Sequence, residues 1–191
     1  MQVVTKSIGQ TLRATTVSTA LQSRSRHEYR DYTMMINMNN DFYQEVVDKF
    51  IFTVKKGLLY TENDVWIEMR NNKAKIGVTD FFQRRLGDVI FVELPPVGDA
   101  VKQNEPFGAV ESIKAVVDVV TPLNGTVEEI NEKLTDNPEH LNSEPYGEGW
   151  LALISPSNLE EDKQHLMTAE KYFELMKSKL QDELKKNKKE A

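Results

Sequence analysis

The sequence has no cysteine, which excludes disulfides, thiolate nucleophiles and any metal site built on sulfur. Histidine is scarce too. His27, His140 and His165 are scattered, lack the spacing that lets imidazoles share a metal ion, and read as surface residues. The longest apolar runs, "FIFTV" and "AVVDVVTPL", are strand-sized, well short of the roughly 18 residues a membrane helix needs. No membrane span is expected. Phosphate-cradling loops of the G-x-G-x-x-G or G-x-x-x-x-G-K-[ST] type are missing, and so is a G-x-S-x-G nucleophile elbow. The acidic neighbours Glu128–Glu129 and Glu160–Glu161 read as solvated faces. Nothing points to catalytic residues of the chain's own or to a bound metal.

Positive charge is thin outside the N-terminus. Residues 1–30 hold Lys6, Arg13, Arg24, Arg26 and Arg30 against Glu28 alone, whereas the whole chain carries a net charge of −6. The remainder is therefore strongly acidic. Such a body repels nucleic acid and suits partners with basic surfaces. The first 30 residues, rich in Ser, Thr and Arg, have the composition of a mitochondrial transit peptide. The expected location is the mitochondrial matrix.

Residues 31–56 form an extension of uncertain structure. Within it, Asn39 or Asn40 can cap a helix, and Phe42, Val46 and Phe50 repeat at i, i+4 and i+8. That spacing predicts a short amphipathic helix. From about Gly57 the texture changes to short β-branched or alternating runs, "VWIEM", "KAKIGV", "DVIFVEL", "LNGTVEEI" and "WLALI", separated by turn residues. Between two of them, "TDFFQRRLGD" offers Thr79 or Asp80 as a cap, an apolar side of Phe81, Phe82 and Leu86, and Gly87 as a stop, so a helix is expected near 80–86. Near the C-terminus, Tyr172, Leu175, Met176, Leu180 and Leu184 make one helical stripe. The domain is expected over 57–186, with a basic tail at 187–191.

One lysine stands out. "AVESIKAVVDVV", residues 109–120, places Lys114 between two β-branched segments. If 106–112 and 116–121 are antiparallel strands, the bend falls at "SIKA", which has no Gly, Asn or Pro and so favours a type I turn over a primed one. Lys114 then sits at an exposed tip. It is either an ordinary surface lysine or the attachment point of an amide-linked prosthetic group, for which a hairpin tip is a rigid base.

The blocks "GVTDFFQRRLGDVIFVELPPVGD", "PFGAVESIKAVVDVVTPLNGTVEEIN" and "NPEHLNSEPYGEGWL" resemble, in order and spacing, the H-protein of the glycine cleavage system, from about Leu59 to about Leu175. Lipoyl domains of 2-oxoacid dehydrogenases and biotinyl carriers are the nearest competitors. Ile113 and Ala115 beside the lysine, together with "YGEGW", favour the H-protein. The resemblance implies a mainly β, lipoyl-type hybrid barrel-sandwich carrying lipoate on Lys114, with no catalysis of its own. It implies four partners: the P-protein (glycine decarboxylase), T-protein (aminomethyltransferase), L-protein (dihydrolipoyl dehydrogenase) and a lipoylating enzyme. Glu111 and Gly125 match positions that the family associates with recognition by lipoylating enzymes. For Gly125 a turn needing positive φ is the favoured explanation, whereas Glu111 is equally explained by the outer face of a strand. The family's "YTKEHEW" is here "YTENDVW", with Asn63 and Asp64 replacing a Glu-His pair. A lipoate relay to dehydrogenase complexes, or an unmodified β-sandwich interaction module, are the alternative functions.

Overall fold

The computed structural model describes residues 41–190. The expected transit peptide, residues 1–30, and the first part of the extension, with the cap candidates Asn39 and Asn40, lie outside them. Strands β1 (Phe42–Val47) and β2 (Phe50–Lys55) form an antiparallel hairpin. Seven strands make a larger sheet, in the spatial order β12 (Met167–Thr168), β3 (Leu59–Tyr60), β4 (Val65–Arg70), β5 (Lys73–Val78), β11 (Trp150–Pro156), β10 (Gly125–Ile130) and β7 (Ala100–Val101). A third sheet has the order β6 (Val89–Glu93), β8 (Pro106–Ser112), β9 (Val116–Val120). The helices are α1 (Asp80–Leu86), the short α2 (Lys133–Asp136), α3 (His140–Ser143) and α4 (Leu159–Asp162), and the long α5 (Ala169–Glu190).

The fold is mainly β, as the runs of alternating residues require. Ile67, Ile76, Leu151 and Ile154 of the large sheet meet Val92, Phe107, Val110 and Val119 of the three-stranded sheet in one buried cluster. Each strand thus has a core face, and the two sheets close over one another as a sandwich. Asn71 and Asn72, both at positive φ, turn β4 into β5, a conformation that asparagine tolerates better than most residues.

Helix α1 forms where the capping pattern places it. Thr79 accepts a hydrogen bond from the Phe82 N–H, and Gly87, at φ 87°, ends the helix. The C-terminal helix also forms, but its buried stripe includes Phe173 beside Tyr172, Met176 and Leu180, with Leu175 only partly covered. It runs on through Glu190, into the stretch where the sequence suggests a tail.

The amphipathic helix expected over the extension is a hairpin instead. Phe50, Phe52 and Val54 alternate along β2, and their partners across the ladder are Val47, Glu45 and Tyr43. Phe52 and Val54 are fully buried, in a second cluster with Tyr60, Trp66, Phe81, Tyr172, Phe173 and Met176. Asp48, at φ 55°, lies in the turn. The i, i+4, i+8 spacing is also a multiple of the strand period of two, so Phe42, Val46 and Phe50 do not discriminate between the two structures. Tertiary packing against α1 and α5 decides for the strand. Glu45, at the rim of the apolar face, pairs with Lys177 of α5 at 2.7 Å.

Candidate functional site

The turn joining β8 to β9 carries Lys114. Glu111 pairs with Val116 in the ladder, which leaves residues 112–115 to reverse the chain. None of them has positive φ, in keeping with an unprimed turn. The closure comes from Ser112. Its N–H donates to the Ala115 carbonyl at 2.9 Å, and its hydroxyl oxygen accepts from the Lys114 and Ala115 N–H groups, each at 3.1 Å. Ser112 is itself buried. A buried hydroxyl gripping consecutive amides makes the tip rigid without glycine or proline. A second support comes from the segment after α1, where the Asp88 carbonyl accepts from the Ile113 N–H at 3.4 Å.

Lys114 is exposed, as the hairpin reading requires, yet its side chain has a bed. A Cβ on Gly87 would lie 3.6 Å from Nζ and 3.8 Å from Cε, so the ammonium group passes directly over this glycine. Beside it opens a groove of about 400 Å³, lined among others by Asp64, Phe82, Arg85, Leu86, Val117 and Asp118. Its floor is apolar and its walls carry charge of both signs. Around the tip the surface is unusually apolar: Ile113 is 75% exposed, Val116 63%, and Ile90 and Phe91 50% each. Phe91, Glu111 and Val116 are direct cross-strand partners, so they share the outer face of the three-stranded sheet. Glu111 therefore stands between the exposed Phe91 and Val116 on that face.

Gly125 lies apart from this face, in β10 between β11 and β7. Its φ is not in the left-handed region, so the expected turn explanation is corrected. The glycine is needed because the β11 backbone comes too close: a Cβ would overlap the Ser155 carbonyl oxygen and approach Ile154 Cγ2 at 2.8 Å. Gly149 answers the same kind of demand, with the His140 carbonyl oxygen 2.6 Å from the place of a Cβ. Trp150 is half-buried with Lys75 Nζ 4.7 Å above its ring; Trp66 is the buried tryptophan, donating its indole N–H to the Pro145 carbonyl at 3.0 Å.

The exchanged pair has a definite place. Asp64, at φ 62°, accepts a hydrogen bond from the Tyr172 hydroxyl at 2.7 Å on the wall of the groove. Burial raises its pKa above the usual carboxylate value, opposed by the Tyr172 hydrogen bond and by Lys179 and Arg85. Burial also pushes the Tyr172 phenol well above its ordinary value, so it stays a neutral donor. A carboxyl with a raised folded pKa contributes its full stability when protonated and loses it as pH climbs through the folded value. Asp64→Asn keeps the acceptor, tolerates positive φ and removes that loss. The variant is expected to gain stability over the parent at pH 7, with the gain shrinking toward pH 3.5 in urea titrations.

Among the described residues no cluster of His, Asp and Glu is arranged to hold a metal. Lys114, singled out in the sequence, lies at the tip, and Glu111 lies on the sheet that carries it; no signal in the sequence pointed to Ser112, Gly87 or the groove walls. Gly87 had a sufficient role as a helix stop, and nothing in the chain order announces that the lysine crosses it.

Comparison with known proteins adds the decisive observation. The glycine cleavage H-protein family model matches residues 58–179. The chain belongs to this family. It is 46% identical to the glycine cleavage system H protein of Bacillus subtilis over 123 residues, 64% of this chain and 96% of that protein. It is 48% identical to a probable glycine cleavage system H protein of Pyrococcus abyssi over 128 residues, 66% of this chain and 95% of that one. A crystal structure of a glycine cleavage system H protein from Mycobacterium marinum superposes with a TM-score of 0.58 at 34% identity, covering 62% of this chain and 95% of that one. The family is one of lipoate-carrying subunits. The β1–β2 hairpin precedes the matched residues, which explains why the family blocks gave no guide to it.

Proposed function

We propose that the chain is a lipoyl carrier of the glycine cleavage system, with lipoate amide-linked to Lys114 Nζ. The carrying observation is the serine-locked tip that projects a single lysine over a glycine, beside an apolar groove and amid exposed Ile113 and Val116. Those residues fit the group: an exposed amine accepts the acyl chain, and the hydrocarbon of the arm finds apolar surface within reach. Lys114 would hold the group, whose dithiolane would supply the redox and group-carrying chemistry needed at the P-, T- and L-proteins.

This chain's residues bind and present. Ser112 and Asp88 hold the tip so that the arm swings from a fixed base. Lys114 changes from ammonium to neutral amide on attachment, which leaves Asp88, Glu93, Glu111 and Asp118 as the formal charges of the three-stranded sheet and the residue leading into it. Partners are expected to meet the face with an apolar centre and a basic rim. Raising salt should therefore raise the KM of the P-protein for the loaded chain several-fold. In Glu111→Gln/Asp118→Asn that salt dependence should flatten, as seen in initial rates between low and physiological ionic strength.

The basic, Ser/Thr/Arg-rich residues 1–30 support a mitochondrial matrix location. Glu111 belongs to the partner face and is assigned to recognition by the lipoylating enzyme; Gly125, held by β11, is assigned to the fold. The test is mass spectrometry of the protein from its native cell, with a peptide map across residues 103–133. A lipoyl increment on Lys114, followed by loading of the arm by the P-protein, supports the proposal. An increment with no loading turns the reading toward a lipoate relay. A bare lysine in nearly all molecules leaves an interaction module.

A further inference from the structure

The hairpin that precedes the family match is wired to the turn that carries the lysine. Relatives are covered over about 95% of their length by some 122 residues of this chain, so β1–β2 is an addition. It docks on α1 through Asp80, a buried carboxylate. Thr53 donates to Asp80 Oδ2 with both its N–H, at 2.8 Å, and its hydroxyl, at 3.0 Å. Asp80 Oδ1 accepts from the Gln83 amide at 2.6 Å, and Arg84 Nε approaches both carboxylate oxygens. Gln83 Oε1 in turn accepts from Asn142 Nδ2 at 3.0 Å. The same Asn142 amide donates to the Gly87 carbonyl at 2.9 Å, while its Oδ1 accepts from the Val89 N–H at 2.9 Å. Between those two residues lies Asp88, whose carbonyl holds Ile113, and Gly87 is the floor under Lys114.

We propose that the β1–β2 hairpin is a positioning element for Lys114, acting through Thr53, Asp80, Gln83 and Asn142. The chain of donors and acceptors is continuous from the hairpin to the 87–89 segment, and every side chain in it is at least half-buried. Buried links of this kind are costly to leave unpaired and fix one arrangement. Helix α1 also supplies Phe82, Arg85 and Leu86 to the groove, so docking the hairpin on its first turn sets one wall of the path open to the arm. The benefit is orientation: a tip held in one pose loses less freedom when a partner closes on it.

The test uses the full-length chain with three variants, Gln83→Leu, Thr53→Val and the conservative Thr53→Ser. Amide hydrogen exchange on the unmodified protein reads the device directly. Gln83→Leu should speed exchange at residues 87–89 and 112–115 roughly fivefold or more, about the weight of one net hydrogen bond. Exchange at Ile76 and Ile154, in the large sheet, should stay at the parent rate. Thr53→Val should act at the same amides to a smaller degree, and Thr53→Ser should restore them. On lipoylated protein, Gln83→Leu should raise the KM of the P-protein several-fold with kcat nearly unchanged. The proposal is overturned if exchange at 112–115 keeps the parent rate in Gln83→Leu, or if Ile76 and Ile154 speed up equally, which marks general destabilisation. The functional arm rests on the lipoyl-carrier reading. A parent protein that cannot be loaded defeats that reading, while the exchange result still decides the positioning role.

Discussion

Lys114→Arg will remove all lipoyl attachment and all aminomethyl transfer while leaving the fold as it is. Arginine keeps the charge and nearly the length, but its guanidinium is a poor nucleophile that stays protonated, so no amide forms. The tip itself is held by the Ser112 hydroxyl, by the Ser112 N–H to the Ala115 carbonyl and by the Ile113 N–H to the Asp88 carbonyl, none of which involves the lysine side chain. Lys114 is exposed, and among the described residues its side chain forms no ion pair. Stability should stay within about 0.5 kcal/mol of the parent. Intact mass and a urea titration measure the two halves of the expectation. A variant still active in glycine cleavage would defeat the carrier function outright.

Gly125→Ala will be among the most damaging single changes in the molecule, at about 3 kcal/mol or more. The added methyl meets the Ser155 carbonyl oxygen, a backbone atom inside a hydrogen-bonded ladder, and Ile154 Cγ2 from the core. Neither can withdraw cheaply: moving Ser155 pulls β11 away from β10, and moving Ile154 opens the sandwich. For a domain of this size the midpoint of thermal unfolding should fall by about 6–12 °C. The same variant separates the two roles given to this glycine. Below its lowered midpoint the folded protein should be lipoylated at the parent rate. Slow lipoylation of a variant with a parental melting temperature would return Gly125 to the recognition surface.

The sandwich was legible because its code is local. "VWIEM", "KAKIGV" and "WLALI" alternate or run β-branched, and each becomes a strand. Helix α1 was legible for the same reason, since Thr79 and Gly87 are its own start and stop signals. The hairpin is not legible locally because Phe42, Val46 and Phe50 satisfy two periods at once. What selects the strand is a set of contacts distant in sequence: Tyr43 stacked on Phe173 at 5.3 Å between centroids, Phe52 edge-on to Phe81 at 5.4 Å, and Thr53 on Asp80. No window of the chain contains those pairs.

The site divides along the same line. The sequence by itself determined the lone lysine of the β8–β9 turn, the absence of cysteine, the acidic character of the body and, through three blocks in register, the family. These depend on residue identity and on neighbours close along the chain. Only the tertiary structure decided that Gly87 is the bed of Lys114, that Gly125 is a contact residue of β11, and that Asn142, a half-buried amide on a short helix, joins the hairpin to the tip. Those are meetings of segments tens of residues apart, set by how the sheets close over their shared core. Distance along the chain carries no record of them until burial has brought the groups together and each polar atom has had to find a partner.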